Sequence, residues 1–100
     1  LMFAGEKLSA KKAKGLGLIF EYTKNDELMP TVITFAEKLA KRPTKSIGLT
    51  KQLLNQALSN NLIEQLEMEK KFQAISAKSN DHIEGIKAFF EKRTPEYKGN

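Results

Sequence analysis

The sequence predicts an all-α fold of about five helices. Apolar residues recur at three- and four-residue spacing over most of the chain, which is the period of an amphipathic helix. Residues that favour helix caps precede these segments, and glycine or proline often follows them. A chain of 100 residues buries enough surface for one modest core. We therefore expect a single helical domain over residues 1–100.

Residues 1–25 are expected to form a short helix followed by an extended connector. Ser9 is a suitable N-cap for a helix through Lys14, and the glycines that follow give the backbone the freedom a helix end needs. The run LIFEY at 18–22 is either a short strand or extended chain, and a lone strand would need a partner. Three aromatic residues of this region are candidates for the core: Phe3, Phe20 and Tyr22.

Residues 26–58 are expected to form two helices. The first is capped by Asp26 and runs to about Lys41, with a start nearer Pro30 as the alternative because proline is tolerated only in the first turn. Its predicted buried stripe consists of Leu28, Val32, Phe35, Ala36 and Leu39.

Pro43 fits the first position of the second of these helices, which runs to about Leu58. Gly48 weakens this helix and is expected to mark a close helix crossing. Its apolar positions are Ile47, Leu49, Leu53 and Leu54.

Residues 59–100 are expected to form two helices and a C-terminal tail. Asn60 or Asn61 caps the first helix, which runs to about Lys78 and has two apolar faces. A surface helix in a monomer normally needs one such face, so the second predicts another helix or another subunit as a partner. One face carries Leu62, Ile63, Leu66, Ala74 and Ala77, and the other carries Met68, Phe72 and Ile75.

The last helix is capped by Ser79 or Asn80 and is expected to reach about Arg93, with Pro95 ending it. Tyr97 gives the tail an aromatic anchor. The apolar residues of this helix, which fall on one connected arc, are Ile83, Ile86, Phe89 and Phe90.

The stretch EGIKAFFEKRTPEYKG at 84–99 strongly resembles the C-terminus of the crotonase superfamily, the enoyl-CoA hydratase and isomerase family. The likeness continues in family order through residues 5–19, 39–58 and 62–73, and therefore covers essentially the whole chain. Within the superfamily, the segments PT, GLTKQ and KRTPEYKG are most similar to phenylacetate-pathway isomerases that act on ring-epoxide CoA thioesters.

This resemblance implies the C-terminal helical region of a crotonase fold, which covers the active site and supplies trimer contacts. The N-terminal spiral core, which carries the oxyanion N–H groups and the acid and base carboxylates, is not in the chain. We therefore assign no catalytic residue and expect the fragment alone to be inactive. The parent protein is expected to act on an acyl-CoA substrate, without a separate cofactor, as a trimer or a dimer of trimers.

In the family's hydratases, a phenylalanine and a lysine of the AFxEKR pattern lie near the CoA of a neighbouring subunit, and they match Phe89 and Lys92. An i,i+3 pair projects from one side of a helix and would offer an aromatic surface and a cation. The alternative places Phe89 in the core with Lys92 beside it. Arg93 either caps the helix C-terminus or makes an interfacial ion pair.

Composition excludes several other classes of protein. With 17 basic and 12 acidic residues the net charge is +5, but the basic residues are spread from Lys7 to Lys98. The absence of cysteine suits a cytoplasmic location and leaves no disulfide or thiolate metal site. His82 is the only histidine and has no neighbouring ligand cluster, so we expect a solvent-facing or capping side chain and no metal.

No apolar run approaches the roughly 20 residues that a membrane span needs, so we expect no membrane partner. The chain begins at Leu1, which favours a truncated protein or a domain. Gly15-Leu16-Gly17 lacks the phosphate-loop pattern and is expected to be a helix terminus.

Two alternatives to the enzyme fragment remain open at this point. A small basic module that binds nucleic acid would explain the positive charge, although Glu64, Glu67 and Glu69 interrupt the face that such a module needs. The second alternative is a free-standing helical scaffold whose likeness to crotonases is only historical.

Overall fold

Five α-helices make up the computed structural model, which describes residue 5 and residues 7–100. The helices are α1 (Ala10–Gly15), α2 (Leu28–Ala40), α3 (Thr44–Gln56), α4 (Leu62–Ala77) and α5 (Asn80–Phe90). No strand occurs in this part of the chain, so the all-α prediction is confirmed. The predicted core residue Phe3 lies outside the described residues.

The chain divides into two compact units, Leu1–Phe35 and Ala36–Asn100, with the boundary inside α2. In the first unit, the Ser9 side chain caps α1 by accepting from the N–H of Lys12 at 3.2 Å. Gly17 adopts a φ of 71° just after the helix, so the predicted helix terminus is confirmed. Residues 18–22 form neither a strand nor an extended run, but begin as bends.

Phe20 packs its ring on Phe35, with centroids 4.7 Å apart, yet remains largely exposed. Tyr22 is also exposed, so neither residue joins the core as predicted. The start of α2 is shifted as well, because a 3-10 turn at Asn25–Glu27 precedes it and Asp26 lies inside that turn. The predicted stripe of α2 is exposed at each position: Leu28, Val32, Phe35, Ala36 and Leu39.

In the second unit, α3 and α4 pack as an antiparallel pair joined by a short connection. The hydroxyls of Ser46 and Ser76 lie 2.7 Å apart across the pair. Gln65 donates to the carbonyl of Leu53 at 3.2 Å. A methyl group added to Gly48 would meet no atom within 4 Å, so the predicted close crossing at this residue is wrong.

The two faces of α4 have different environments. Asn61 caps the helix with its side chain, and Glu64 returns a bond to the N–H of Asn61 at 2.9 Å, forming a capping box. Phe72 is 8% exposed and Met68 is half-buried, so this part of the face packs inward, whereas Ile75 is 37% exposed. The opposite face exposes Leu62, Ile63 and Leu66. Among the described residues, one predicted apolar face is therefore covered in part and the other is left exposed.

Candidate functional site

Phe89, the aromatic half of the predicted ligand-binding pair, lies on the surface. It occupies the last turn of α5 and is 80% exposed. Its ring meets the edge of Phe90 at 5.8 Å, with the planes at 76°. The alternative that placed Phe89 in the core is therefore wrong for this chain.

Lys92 lies beyond the helix, since α5 ends at Phe90 and not near Arg93 as predicted. Its φ of 53° is left-handed, a conformation that lysine rarely adopts. The N–H of Lys92 donates to the carbonyl of Phe89 at 3.3 Å, and the N–H of Arg93 donates to that of Ala88 at 3.1 Å. These two bonds form a Schellman motif with lysine where glycine is usual. The predicted i,i+3 helical geometry is thus wrong, although the two residues remain close in sequence.

Arg93 makes four side-chain hydrogen bonds within the chain. Its guanidinium donates two bonds to the carboxylate of Glu84, at 2.5 and 2.9 Å, and a third to Glu91 at 2.6 Å. The Arg93 bonds are the main reason that the pKa of Glu84 falls from 4.5 to about 2, with the N–H of Glu96 as the second cause. The same carboxylates raise the pKa of Arg93. The ion pairs of Arg93 lie within one chain, whereas the prediction was an ion pair across an interface.

The tail after α5 turns back and is held by Asp81 at the start of the helix. The two carboxylate oxygens accept from the N–H groups of Lys98 and Gly99, at 2.7 and 2.8 Å. Asp81 is 3% exposed, so these bonds are shielded from water. The N–H of Asp81 also donates to the carbonyl of Asn100 at 3.2 Å. One buried carboxylate thus fixes the end of the chain.

Two glycines permit the close contacts of this tail. A methyl group added to Gly85 would lie 3.3 Å from the hydroxyl oxygen of Tyr97. Gly99 has a φ of 78°, and a methyl group there would clash with the side-chain oxygen of Thr44. The predicted aromatic anchor therefore packs on α5, where the glycine makes room for it.

Beside this tail, an aromatic groove of about 360 Å³ opens on the surface. Its lining includes Phe89, Phe90 and Tyr97 with Ile86. His82 also lines the groove, and its side chain is exposed as predicted. The backbone N–H of His82 donates to the hydroxyl of Ser79, the N-cap of α5, at 3.1 Å. An aromatic groove with few charges suits a planar or apolar group.

Sequence reasoning proposed Phe89 and Lys92 as ligand contacts, which stays a prediction, and it missed Asp81 and Glu84, the carboxylates that bind the tail. The signal that could have found them is the presence of two acidic residues in α5 beside a short tail that carries Arg93 and two lysines. The described residues contain no group of three or more acidic or histidine side chains that could hold a metal ion. None of the helices they form combines the length and apolar character that crossing a bilayer requires.

Comparison with known proteins connects this geometry to a family. The family model described as Enoyl-CoA hydratase/isomerase matches residues 1–100. The chain is 37% identical over 99 residues to the 1,2-epoxyphenylacetyl-CoA isomerase of Escherichia coli K12, covering 99% of this chain and 38% of that protein. It is 30% identical to the 2,3-dehydroadipyl-CoA hydratase of the same organism, covering 99% of this chain and 39% of that protein.

Solved structures give the same result. The enoyl-CoA hydratase of Polaromonas sp. JS666 superposes with a TM-score of 0.86 at 32% identity, covering 95% of this chain and 37% of that one. The enoyl-CoA hydratase of Bacillus anthracis superposes with a TM-score of 0.83 at 34% identity, covering 100% of this chain and 39% of that one. The chain thus spans less than two-fifths of the length of these relatives.

Proposed function

Because the chain belongs to the enoyl-CoA hydratase/isomerase family, we propose that it is the C-terminal helical region of an enzyme that acts on acyl-CoA thioesters. In that enzyme the region covers the active site and supplies contacts between subunits of a trimer or a dimer of trimers. The acid and base groups of the reaction belong to the part of the enzyme that this chain does not cover. Alone, the chain does not catalyse the reaction.

The observation that carries this proposal is the exposed apolar face of α5. Large apolar patches on a soluble protein usually mark an interface. Burying each such side chain is worth about 1.5 to 3 kcal/mol, which favours a partner strongly. The residues of this face, between 47% and 80% exposed, are Ile83, Ile86, Phe89 and Phe90.

We also propose that Phe89 and Lys92 are accessory contacts to CoA bound by a neighbouring subunit. The exposed ring of Phe89 offers a stacking surface for an adenine base. Lys92 has no ion pair with any described residue, so its ammonium is available for a phosphate. Arg93 is a weaker candidate for this role, because Glu84 and Glu91 accept three of its five N–H donors and neutralise its charge.

Sedimentation velocity of the 100-residue chain at rising concentration tests the subunit contacts. We expect concentration-dependent self-association that the double variant Phe89→Ser/Phe90→Ser weakens by at least about tenfold, since it removes two exposed rings that association would bury. Phe20→Ser is the matched control, because that ring is equally exposed in the other unit. A chain that stays monomeric at every concentration contradicts the proposal.

An activity assay tests whether the chain alone lacks catalytic activity. The purified chain is expected to give no enoyl-CoA hydration or isomerisation above the uncatalysed rate. Enzyme-like turnover by the chain alone would overturn the proposal. For the CoA contacts, Lys92→Gln is expected to weaken CoA binding to the associated chain, whereas Lys87→Gln, which removes a cation of α5 itself, leaves it within twofold.

A further inference from the structure

A second cavity, of about 550 Å³, lies between the C-terminal end of α2 and the tail. It belongs entirely to the unit Ala36–Asn100. One wall is the segment that closes α2, and the other is the segment after α5. The side chains and backbone that line it come from Lys38, Ala40, Lys41, Arg42, Thr94, Pro95, Glu96 and Tyr97.

The charge of this cavity is unbalanced. Its lining contains three cations, Lys38, Lys41 and Arg42, against one carboxylate, Glu96. Among the described residues, none of these four side chains makes an ion pair or a side-chain hydrogen bond. The lining therefore presents two positive charges in excess.

Elsewhere among the described residues, some cations pair with neighbouring carboxylates: Arg93 binds Glu84 and Glu91, and Lys14 binds Glu21. In the basic cavity, the one carboxylate shares the lining with three cations and stays more than 4.0 Å from each of their charged nitrogens, so none of the three positive charges is neutralised by an ion pair. Lys38 lies in the last turn of α2, where a positive charge interacts favourably with the helix dipole.

The walls of the cavity are held in place by hydrogen bonds that do not use the cationic side chains. The N–H of Arg42 donates to the carbonyl of Leu39 at 3.0 Å, which closes the end of α2. On the opposite wall, the N–H of Glu96 donates to Glu84 at 2.9 Å, and Tyr97 is half-buried. The cavity is therefore formed before any ligand arrives, which reduces the entropy cost of binding.

We propose that this basic cavity binds a small molecule that carries a diphosphate group. Its volume falls within the range of roughly 300 to 1,000 Å³ typical of small-molecule sites. Arg42 supplies a planar fork that matches two phosphate oxygens, and the two lysines supply point charges. Pro95 and Tyr97 give one side of the cavity an apolar surface for the group that the diphosphate carries. The inference uses neither Phe89 nor Lys92 and does not depend on the proposed function.

Titration of the 100-residue chain with inorganic pyrophosphate, followed by calorimetry and by backbone amide NMR, tests the site. We expect saturable binding, with amide shifts concentrated at residues 38–42 and 94–97. Inorganic phosphate is expected to bind about tenfold more weakly, because it makes fewer charged hydrogen bonds. ADP is expected to bind at least as well as pyrophosphate and to shift the Tyr97 signals further.

The variant Lys41→Gln/Arg42→Gln removes two cations from the cavity and takes the net charge from +5 to +3. Its matched control, Lys45→Gln/Lys51→Gln, removes two exposed cations of α3 that do not line the cavity and gives the same net charge. The cavity variant is expected to lose at least about tenfold in pyrophosphate affinity, and the control less than threefold.

Equal losses in the two variants would show general attraction by net charge and would overturn the proposal, as would shifts spread evenly over the lysines. Circular dichroism checks that each variant remains helical. The single variant Lys41→Gln provides a second test, and its affinity for pyrophosphate is expected to fall about threefold. Failure here leaves the self-association test untouched, since that test depends on α5.

Discussion

On one face of α5, Asp81 and Glu84 bind the tail and Ala88 is 1% exposed. On the other face, Ile83 is largely exposed and Phe89 is 80% exposed. A surface helix of a monomer normally shows the reverse arrangement, with apolar residues inside and charges outside. The polar face therefore completes its bonds within the chain, and the apolar face remains exposed.

The two faces depend on different kinds of interaction. Hydrogen bonds from N–H groups to a buried carboxylate have defined length and direction, and Asp81 makes both of its bonds inside the chain. Apolar burial has no such direction and is proportional to the area that any partner covers. We expect substitutions on the polar face to change the stability of the chain, and those on the apolar face to change association.

The largest effect is expected from Asp81→Asn. An asparagine keeps the shape but loses the charge and turns one acceptor into a donor, which then faces an N–H of the tail. We expect the free energy of unfolding to fall by about 2 to 3 kcal/mol, because a charged hydrogen bond is lost and a buried donor is left unpaired. Urea denaturation at neutral pH measures the loss.

Asp26→Asn is the control for Asp81, because that carboxylate is exposed and makes no side-chain bond with the described residues. The free energy of unfolding of this variant is expected to stay within about 0.5 kcal/mol of the wild-type value. If the free energy of unfolding fell by the same amount in both variants, the polar face would have no special role in holding the tail.

The helices and most of their starts could be predicted from the sequence because these features are local. Ser9, Asn61 and Ser79 cap the helices they precede, and each bond spans three residues. The end of α5 could not be placed in this way, because Pro95 predicts a later stop and a left-handed lysine has no signal in a single sequence.

Contacts distant in sequence could not be predicted in the same way. The bonds from Asp81 to the tail span 17 and 18 residues, and no periodic pattern encodes them. Nor could burial be predicted for α2, because a stripe such as Leu28 and Val32 indicates that a partner exists without saying whether the partner is in the same chain. The prediction of a single domain stays a prediction.

A smaller effect, with a defined pH dependence, is expected at Glu84. Its pKa in the folded chain is about 2, below the ordinary 4.5, so its contribution to stability is complete above pH 4.5 and is lost as the pH falls towards 2. The difference in urea midpoint between the wild type and Glu84→Gln should therefore be largest near neutral pH and shrink between pH 4.5 and 2.

Glu67→Gln serves as the comparison for this titration, because Glu67 is exposed and has no ion pair with the described residues. Its difference from the wild type is expected to remain small and independent of pH. A Glu84 difference that stays constant down to pH 2 would show that the bond to Arg93 does not stabilise the fold.

Lys92 lies where the chain leaves α5 and turns back towards the polar face. A non-glycine residue at its φ of 53° carries a conformational cost, so Lys92→Gly is expected to raise the free energy of unfolding by about 0.5 to 1 kcal/mol. Lys92→Ala separates the two causes, because alanine keeps the backbone cost and loses only the side chain; no gain is expected from it. Thermal unfolding of both variants measures the effect.

The matched position in α1 tests the same argument in the opposite direction. Gly17 occupies the equivalent place in a second Schellman motif, in which the N–H of Leu18 donates to the carbonyl of Ala13 at 3.0 Å. Gly17→Ala is therefore expected to lower the free energy of unfolding by about 1 kcal/mol. A neutral result at both glycine and lysine positions would mean that the ends of the helices relax freely.

The smallest effect on stability is expected from the apolar face itself. In dilute solution, where the chain is monomeric, Phe89→Ser/Phe90→Ser should change the free energy of unfolding by less than about 0.5 kcal/mol, because both rings already lie in water. Urea denaturation at two chain concentrations measures this, and the variant should differ from the wild type only at the higher one. A large loss in dilute solution would mean that these rings stabilise the monomer, and the contrast between the two faces of α5 would then no longer hold.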